Sequence, residues 1–477
     1  MNRRVRQVGL LAALMVFALL GNLTYFNLAR QPGLLDDPAN RRVRDAQFDR
    51  QRGQILAGDI VIADTVPADP ADDFKRQRVY PAGDLYAAVT GFYSYIYGSA
   101  GLESSYNSYL TGADDSQWWQ SLIDSMSGRS PVGATVTTTL DPTLQQVARQ
   151  QLGDRSGAVV ALDPHDGSVL ALVTTPSYDP NRLASHDLAA VQAAWPQLVD
   201  DPAGSMRNRA AREIYPPGST FKLVTAAAAL EAGYTPDSLI DTPSQIQLPQ
   251  SSAVLPNSTR CGNGQVTLAY ALQLSCNTSF ANIGADLGLE ALRRQAERFG
   301  FNQPHLSELG GVSSRFPRSG DAAQTMMSAI GQYEVAASPL QMAMVVAAIA
   351  NDGLLVEPHI VSQVRSADLT VLYQHSSERS QALSVGSAQA LQQMMVQVVE
   401  SGTGSPARLS GVRVGGKTGT AQSSPDRPPY AWFVAFSENP DLVVAVFIEQ
   451  ANLSPGDDVA GGRLGGPIAR ALIEARR

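Results

Sequence analysis

Lysine is almost absent from this sequence. Of 36 basic residues only Lys75, Lys222 and Lys417 are lysines, and arginine serves everywhere else. Cysteine is as scarce: Cys261 and Cys276 are the pair present, too few for a small scaffold held by several bridges. Aromatic residues make up 7%, no basic patch is interleaved with them, and the net charge is -8, which together exclude a nucleic-acid surface. The five histidines (His165, His186, His305, His359 and His375) include none beside a nucleophile frame, which argues against a Ser-His-Asp hydrolase; His165 reads as solvated in a turn. There is no H-E-x-x-H, and neither a metal nor a cofactor is expected. No repeat of fixed period is present, which removes solenoids and propellers.

What is there is a long, apolar chain. At 477 residues and 44% hydrophobic it can bury a large core and form two domains after a membrane segment. Residues 8–29, "VGLLAALMVFALLGNLTYFNLA", carry no charge. About 20 helical residues at ~1.5 Å each cross a bilayer core of ~30 Å. The run ends in Asn27-Leu28-Ala29-Arg30, a poor cleavage site, so an uncleaved signal anchor is expected rather than a removed leader. Arg3, Arg4 and Arg6 precede it, while Arg30, Arg41, Arg42 and Arg44 follow, which leaves orientation undecided by charge alone.

Beyond the anchor, residues 31–132 are polar and irregular and read as a small pedestal domain. Alternation from Ile55 to Ala63 predicts a strand pair around Gly58, and Gly91 to Gly112 predicts a helix between glycine turns. Residues 133–477 read as the main domain. Asp141-Pro142 fits an N-cap and first helical position. Ala158–Leu162 and Val169–Val173 form a hairpin around an Asp-Pro-His-Asp-Gly turn, and a second hairpin turns at Glu438-Asn439-Pro440-Asp441. A closing helix ends the chain. Strands at both ends with helices between predict an α+β domain whose antiparallel sheet is covered by helices. Trp118-Trp119 reads as packing rather than a site.

The chemistry starts at "YPPGSTFK". Pro216, Pro217 and Gly218 set a turn, and "STFKLVTAAAALEAG" predicts a helix with Ser219 at its N-terminus and Lys222 one turn on, on the same face. Free N–H groups there favour a developing oxyanion. Burial and the same field lower a lysine pKa and let it act as a base, which arginine cannot do. For S-x-x-K alone, a solvated lysine that follows a serine explains the pattern equally well. The third lysine changes this. "VRVGGKTGTAQ" places Lys417-Thr418-Gly419 after an alternating strand, with Thr418 and Thr420 on one face and glycines that leave room for a ligand backbone. Between them lies Ser275-Cys276-Asn277. S-x-x-K, S-x-N and K-T-G, in that order, form the set of penicillin-interacting enzymes.

On these residues the chain resembles the class B penicillin-binding proteins, monofunctional D,D-transpeptidases, over nearly its whole length. "RGQI" at Arg52–Ile55, "GLESSYNSYLTG" at Gly101–Gly112, "IGQYEVAASPLQMA" from Ile330 and "AWFVAF" from Ala431 look like family signatures. The short pedestal is most similar to the actinobacterial penicillin-binding protein A type, associated with cell division and shape. One departure is Tyr333, where many relatives have glycine. The resemblance implies a penicillin-binding transpeptidase fold, acting on D-Ala-D-Ala stem peptides of peptidoglycan and acylated by β-lactams. Ser219 would be the nucleophile, Lys222 its base and Ser275 a proton relay. Lys417 would supply positive potential. Asn277, Thr418, Gly419 and Thr420 would bind substrate, with the backbone N–H groups of Ser219 and Thr420 as the oxyanion hole. The substrate's location puts the body outside a cell membrane crossed once. A glycosyltransferase that polymerises lipid II and other divisome proteins are the implied partners. A Cys261–Cys276 bridge and two separate thiols are left equally open by the sequence. The rivals are a serine β-lactamase or β-lactam sensor on the same motifs, and a non-catalytic divisome scaffold. No water-activating base for fast deacylation is evident, and the intact motifs oppose the scaffold.

Overall fold

The computed structural model describes residues 2–25, 45, 47–114, 132–421, 428–450 and 461–477. Part of the expected anchor beyond Tyr25, the arginines Arg30, Arg41, Arg42 and Arg44, and Trp118-Trp119 lie outside the described residues. Helix α1 (Asn2–Tyr25) has its charge confined to the first turns and is exposed along its length; Arg3–Tyr25, at a mean hydropathy of 1.9, is long and apolar enough to cross a membrane.

The alternation around Gly58 folds as expected. Strand β1 (Ile55–Ala57) pairs antiparallel with β2 (Ile60–Pro67), which pairs with β3 (Arg76–Val79), and β1 runs parallel to β4 (Thr135–Thr138). The expected helix over 91–112 forms only in part. Tyr93–Ser94 and Gly98–Ser99 make a small hairpin, followed by short helices Leu102–Ser105 and Asn107–Thr111. Aromatic packing overrides helix propensity here: Tyr93 stacks on Phe48 at 4.5 Å and Tyr97 on Trp195 at 4.0 Å. "RGQI" and "GLE" meet in a buried ion triad. Glu103 accepts from Arg52 Nε at 2.6 Å and from Arg78 Nε at 2.6 Å, and all three side chains are buried.

Asp141 caps α2 (Pro142–Leu152), accepting from the N–H groups of Thr143 and Leu144, with proline where no N–H is needed. Strands β5 (Ser156–Leu162) and β6 (Val169–Thr175) form the expected hairpin. Helices α3 (Lys222–Glu231), α4 (Leu268–Leu274), α5 (Asn277–Arg298) and α6 (Pro339–Ala350) follow. The chain then returns to the first sheet, where β7 (Val361–Arg365) pairs with β4 and β8 (Val371–Gln374) pairs with β7. That sheet therefore reads β8-β7-β4-β1-β2-β3 and draws strands from both sides of residue 132. After α7 (Val385–Ser401), strands β9 (Arg413–Ala421), β10 (Tyr430–Glu438) and β11 (Leu442–Gln450) and helix α8 (Gly461–Ala475) complete the chain.

The second sheet is wholly antiparallel, in the order β9-β10-β11-β5-β6, and joins strands from both ends of the main domain. Its strands are buried on both faces. Leu144 and Ala148 of α2 and Ile468 and Leu472 of α8 cover one face. On the other lie α3 and α6, and α6 is buried from Pro339 to Ile349, as a helix apolar on all sides must be. The edge strand β9 carries Lys417-Thr418-Gly419.

Candidate active site

The turn before Ser219 is held from two sides. Trp432 Nε1 donates to Pro216 O at 3.0 Å, and Gly218 N donates to Gly331 O at 3.0 Å, which gives "AWFVAF" and "IGQ" a structural reason. The helix expected from Ser219 begins as a 3-10 turn, Gly218–Phe221, and becomes α-helical at Lys222. Ser219 is partly exposed, and among the described residues its Oγ has no hydrogen-bond partner. Lys222, one turn on, is fully buried.

Lys222 Nζ donates to Ser275 O at 2.7 Å and to Asn277 Oδ1 at 2.7 Å, and lies 3.3 Å from Ser275 Oγ and 5.6 Å from the Phe280 ring centre. Lys417 Nζ donates to Ser275 Oγ at 2.7 Å and to Thr418 O at 2.9 Å. No carboxylate among the described residues pairs with either amine. Burial pushes both down: Lys222 falls well below the ordinary lysine range, with repulsion from Lys417 as the second cause, and Lys417 falls to about 7.

Ser275 ends α4 in the left-handed conformation, φ 61° and ψ 44°, a position few side chains adopt without support. The support comes from the segment 256–261. Thr259 Oγ1 donates to Leu274 O at 2.6 Å, Asn277 Nδ2 donates to Pro256 O at 3.0 Å and to Ser258 Oγ at 3.3 Å, and Thr278 N donates to Asn257 Oδ1 at 3.0 Å. Cys276, between the two motif residues, is disulfide-bonded to Cys261, with Cα atoms 5.8 Å apart.

Strand β9 closes the cleft. A Cβ on Gly419 would lie 2.9 Å from Pro217 O, so the strand runs directly against the Ser219 turn. Thr420 is exposed on the same face as Thr418, and Thr418 is 9% exposed with its hydroxyl 2.9 Å from that of Thr403. The structure thus brings Ser219, Lys222, Ser275, Asn277 and Lys417–Thr420 together from a 3-10 turn, two helix ends and an edge strand. His165 lies elsewhere, in the β5–β6 turn, with its ring nitrogens 3.0 Å from Asn351 Oδ1 and 3.0 Å from Asp441 Oδ2. Thr403 was not legible: a threonine between glycines, far from any motif, gives no sequence signal. Tyr333 sits exposed at φ 63°, a backbone conformation that favours glycine.

The family model for the penicillin binding protein transpeptidase domain matches residues 157–474. The chain belongs to the penicillin-binding protein transpeptidase family. A second model, the penicillin binding protein A dimerisation domain, matches residues 52–136, a range that includes β1, β2 and β3. Among curated relatives, the peptidoglycan D,D-transpeptidase PbpA of Mycolicibacterium smegmatis is 41% identical, with 100% of this chain and 99% of the relative covered. Among solved structures, PBPA from Mycobacterium tuberculosis matches with a TM-score of 0.84 at 40% identity, covering 90% of this chain and 100% of the other. The penicillin G acyl-enzyme complex of penicillin-binding protein A from M. tuberculosis matches with a TM-score of 0.83 at 40% identity, covering 89% and 99%. In this penicillin-binding transpeptidase the three motifs frame the one cleft just described.

Proposed function

We propose that this chain is a peptidoglycan D,D-transpeptidase that cross-links stem peptides through an acyl-enzyme on Ser219. One observation carries the reading: Lys222 is fully buried with no carboxylate partner among the described residues, one turn from a partly exposed Ser219. A neutral amine has two N–H donors and one lone pair. Ser275 O and Asn277 Oδ1 take the two donors. The lone pair is left for a hydroxyl proton.

Ser219 Oγ attacks the carbonyl of the penultimate D-alanine and its proton passes to Lys222 Nζ. The backbone N–H groups of Ser219 and Thr420 bind the oxyanion. As the C–N bond breaks, Ser275 relays the proton from Lys222 to the departing amine, and D-alanine leaves. Lys417 holds Ser275 Oγ and gives the site its positive charge. Thr418 and Thr420 bind the terminal carboxylate, Gly419 lets the peptide backbone approach, and Asn277 orients the acyl chain's amide. An amine of a neighbouring stem peptide then attacks the ester, the C–O bond breaks, and Ser219 regains its proton. A β-lactam enters the same path and stops at the ester.

The finer reading has residues 8–25 of α1 in an anchor over residues 8–29, with the catalytic body on the extracytoplasmic face. Residues 31–132 form the pedestal and 133–477 the transpeptidase domain. A lipid II-polymerising glycosyltransferase and other divisome proteins are the partners, and cell division is the setting.

The test is the intact mass of the full chain in detergent after benzylpenicillin, beside Ser219→Ala. A stable adduct absent from the variant is the expected result. Rapid return to the free mass with hydrolysed drug would instead mean a β-lactamase, and no adduct from folded protein a scaffold.

A further inference from the structure

The S-x-N and K-T-G walls of the cleft are joined by a turn that none of the three motifs includes. At the end of α7, Ser401-Gly402-Thr403 packs against Gln273, two residues before Ser275. Gln273 Nε2 donates to Ser401 Oγ at 2.9 Å and to Ser401 O at 3.2 Å, and Thr403 N donates to Gln273 O at 3.4 Å. Gly402 has no room for a side chain: a Cβ would lie 2.6 Å from Gln273 O and 2.8 Å from Val398 O. On its other side the turn presents Thr403 Oγ1 to Thr418 Oγ1 at 2.9 Å, and Thr418 is the one hydroxyl partner of Thr403 among the described residues.

We infer that Thr403 is a positioning residue for recognition of the substrate's terminal carboxylate, acting through Thr418. The inference rests on the reading of this cleft as a D,D-transpeptidase site.

A threonine hydroxyl has one proton and two lone pairs. In a pair of hydroxyls one donates and the other accepts, and the direction is set by what else is present. When Thr418 donates to Thr403, it has no proton left for an anion. When Thr403 donates to Thr418, the Thr418 proton is free, and a carboxylate is a stronger acceptor than a hydroxyl. The order Thr403 to Thr418 to carboxylate is the one arrangement in which Thr418 serves the anion, and each donation strengthens the next. Without a substrate carboxylate both directions are open. Thr403 therefore favours ligands that carry an anion at this end of the site, without touching them. Because the same turn binds Gln273, it also fixes how far Thr418 stands from the helix that ends in Ser275.

The test compares acylation of the full chain, in detergent, by benzylpenicillin and by its methyl ester, which lacks the anion. Thr403→Val removes the proton at nearly constant shape. It is expected to slow the second-order reaction with benzylpenicillin about tenfold, the worth of one net hydrogen bond, and to leave the slower reaction with the ester unchanged. Thr403→Ser is expected to restore the benzylpenicillin rate. An unchanged benzylpenicillin rate in Thr403→Val would overturn the inference, as would an equal loss on both probes, which marks a structural role alone. If Thr403→Val does not fold, Thr403→Ala, which adds no bulk, is read by the same two ratios. Failure of the native chain to form any adduct would overturn the underlying functional reading and this inference with it; an intact native reaction with unchanged variant selectivity overturns this inference only.

Discussion

Lys222 and Lys417 converge on one oxygen, their Nζ atoms 3.3 and 2.7 Å from Ser275 Oγ. Two buried amines on one hydroxyl cannot both hold a charge at low cost, so the site sorts them into a base and a cation. Burial and repulsion from Lys417 push Lys222 well below the ordinary lysine range, and burial brings Lys417 down to about 7.

The acylation rate is therefore expected to follow a bell. On the acid side Lys222 is protonated and cannot take the Ser219 proton; on the alkaline side Lys417 loses its charge, with the descending limb near pH 7. Second-order rates with benzylpenicillin between about pH 5 and about pH 9 read both limbs. In Lys417→Arg, whose charge does not titrate in this range, any remaining activity should lose the alkaline limb. A rate in the native chain that keeps rising to high pH would refute the assignment.

Glu103→Ala is expected to destabilise the protein by about 3–5 kcal/mol, because it leaves two buried guanidinium groups without their anion. Burial pushes the Glu103 carboxyl up, but Arg78 and Arg52 outweigh this and hold it below its ordinary value. A depressed carboxylate contributes stability above the unfolded pKa and loses it as pH falls through the folded one. Thermal unfolding should show the loss in Glu103→Ala at neutral pH. Acylation of the protein that remains folded should be unchanged, since Arg52, Arg78 and Glu103 pair with one another and contribute no side chain to the cleft.

The Cys261–Cys276 bridge closes a separation of 15 residues, and removing a bridge over such a loop costs about 3 kcal/mol. The Cys261→Ser/Cys276→Ser double variant should melt lower than the native chain and acylate more slowly, because Ser275 then keeps its left-handed backbone with hydrogen bonds alone. A reductant should lower the melting temperature of the native chain and leave the double variant where it was. Identical melting curves with and without reductant would count against it.

His359 stacks on His375 with ring centres 3.6 Å apart. Burial, then the neighbouring ring, push His359 down to about 4, while Asp166 pulls weakly the other way. The unfolded chain takes up this proton near 6.5 and the folded one resists it to about 4. The stability is thus complete above pH 6.5 and drains away as pH falls toward about 4. The urea midpoint should drop between about pH 7.5 and about pH 5, and His359→Gln should narrow that drop. Parallel pH dependences in the two proteins would remove His359 as the cause.

Much of this was legible in the sequence because its signals are local. The two hairpins of the second sheet, the Asp141 cap and the serine–lysine turn each follow from a few adjacent residues. The scarcity of lysine did more, since two of the three lysines are the site's two titratable amines. One non-local relation was expected and is found, the pairing of terminal strands in the second sheet; the others did not show. Alternation around Gly58 predicted a strand pair but not that β7 and β8, some 300 residues later in the chain, would extend its sheet. The run from Phe92 to Tyr97 looked helical because its ring partners Phe48 and Trp195 are distant in sequence. Thr403 carries no motif; its place is fixed by Gln273 and Thr418, which only the fold brings to it.

The return of β7 and β8 to the first sheet has a mechanical meaning. A hinge needs a seam that the chain crosses once. Among the described residues the chain passes between the first sheet and the rest of the main domain three times, on leaving β4 and at both ends of the β7–β8 excursion, and the β1–β4 ladder ties residues 55–57 to 136–138. Residues on the two sides of position 132 therefore share one sheet, and parting them means breaking the β1–β4 ladder rather than bending a linker.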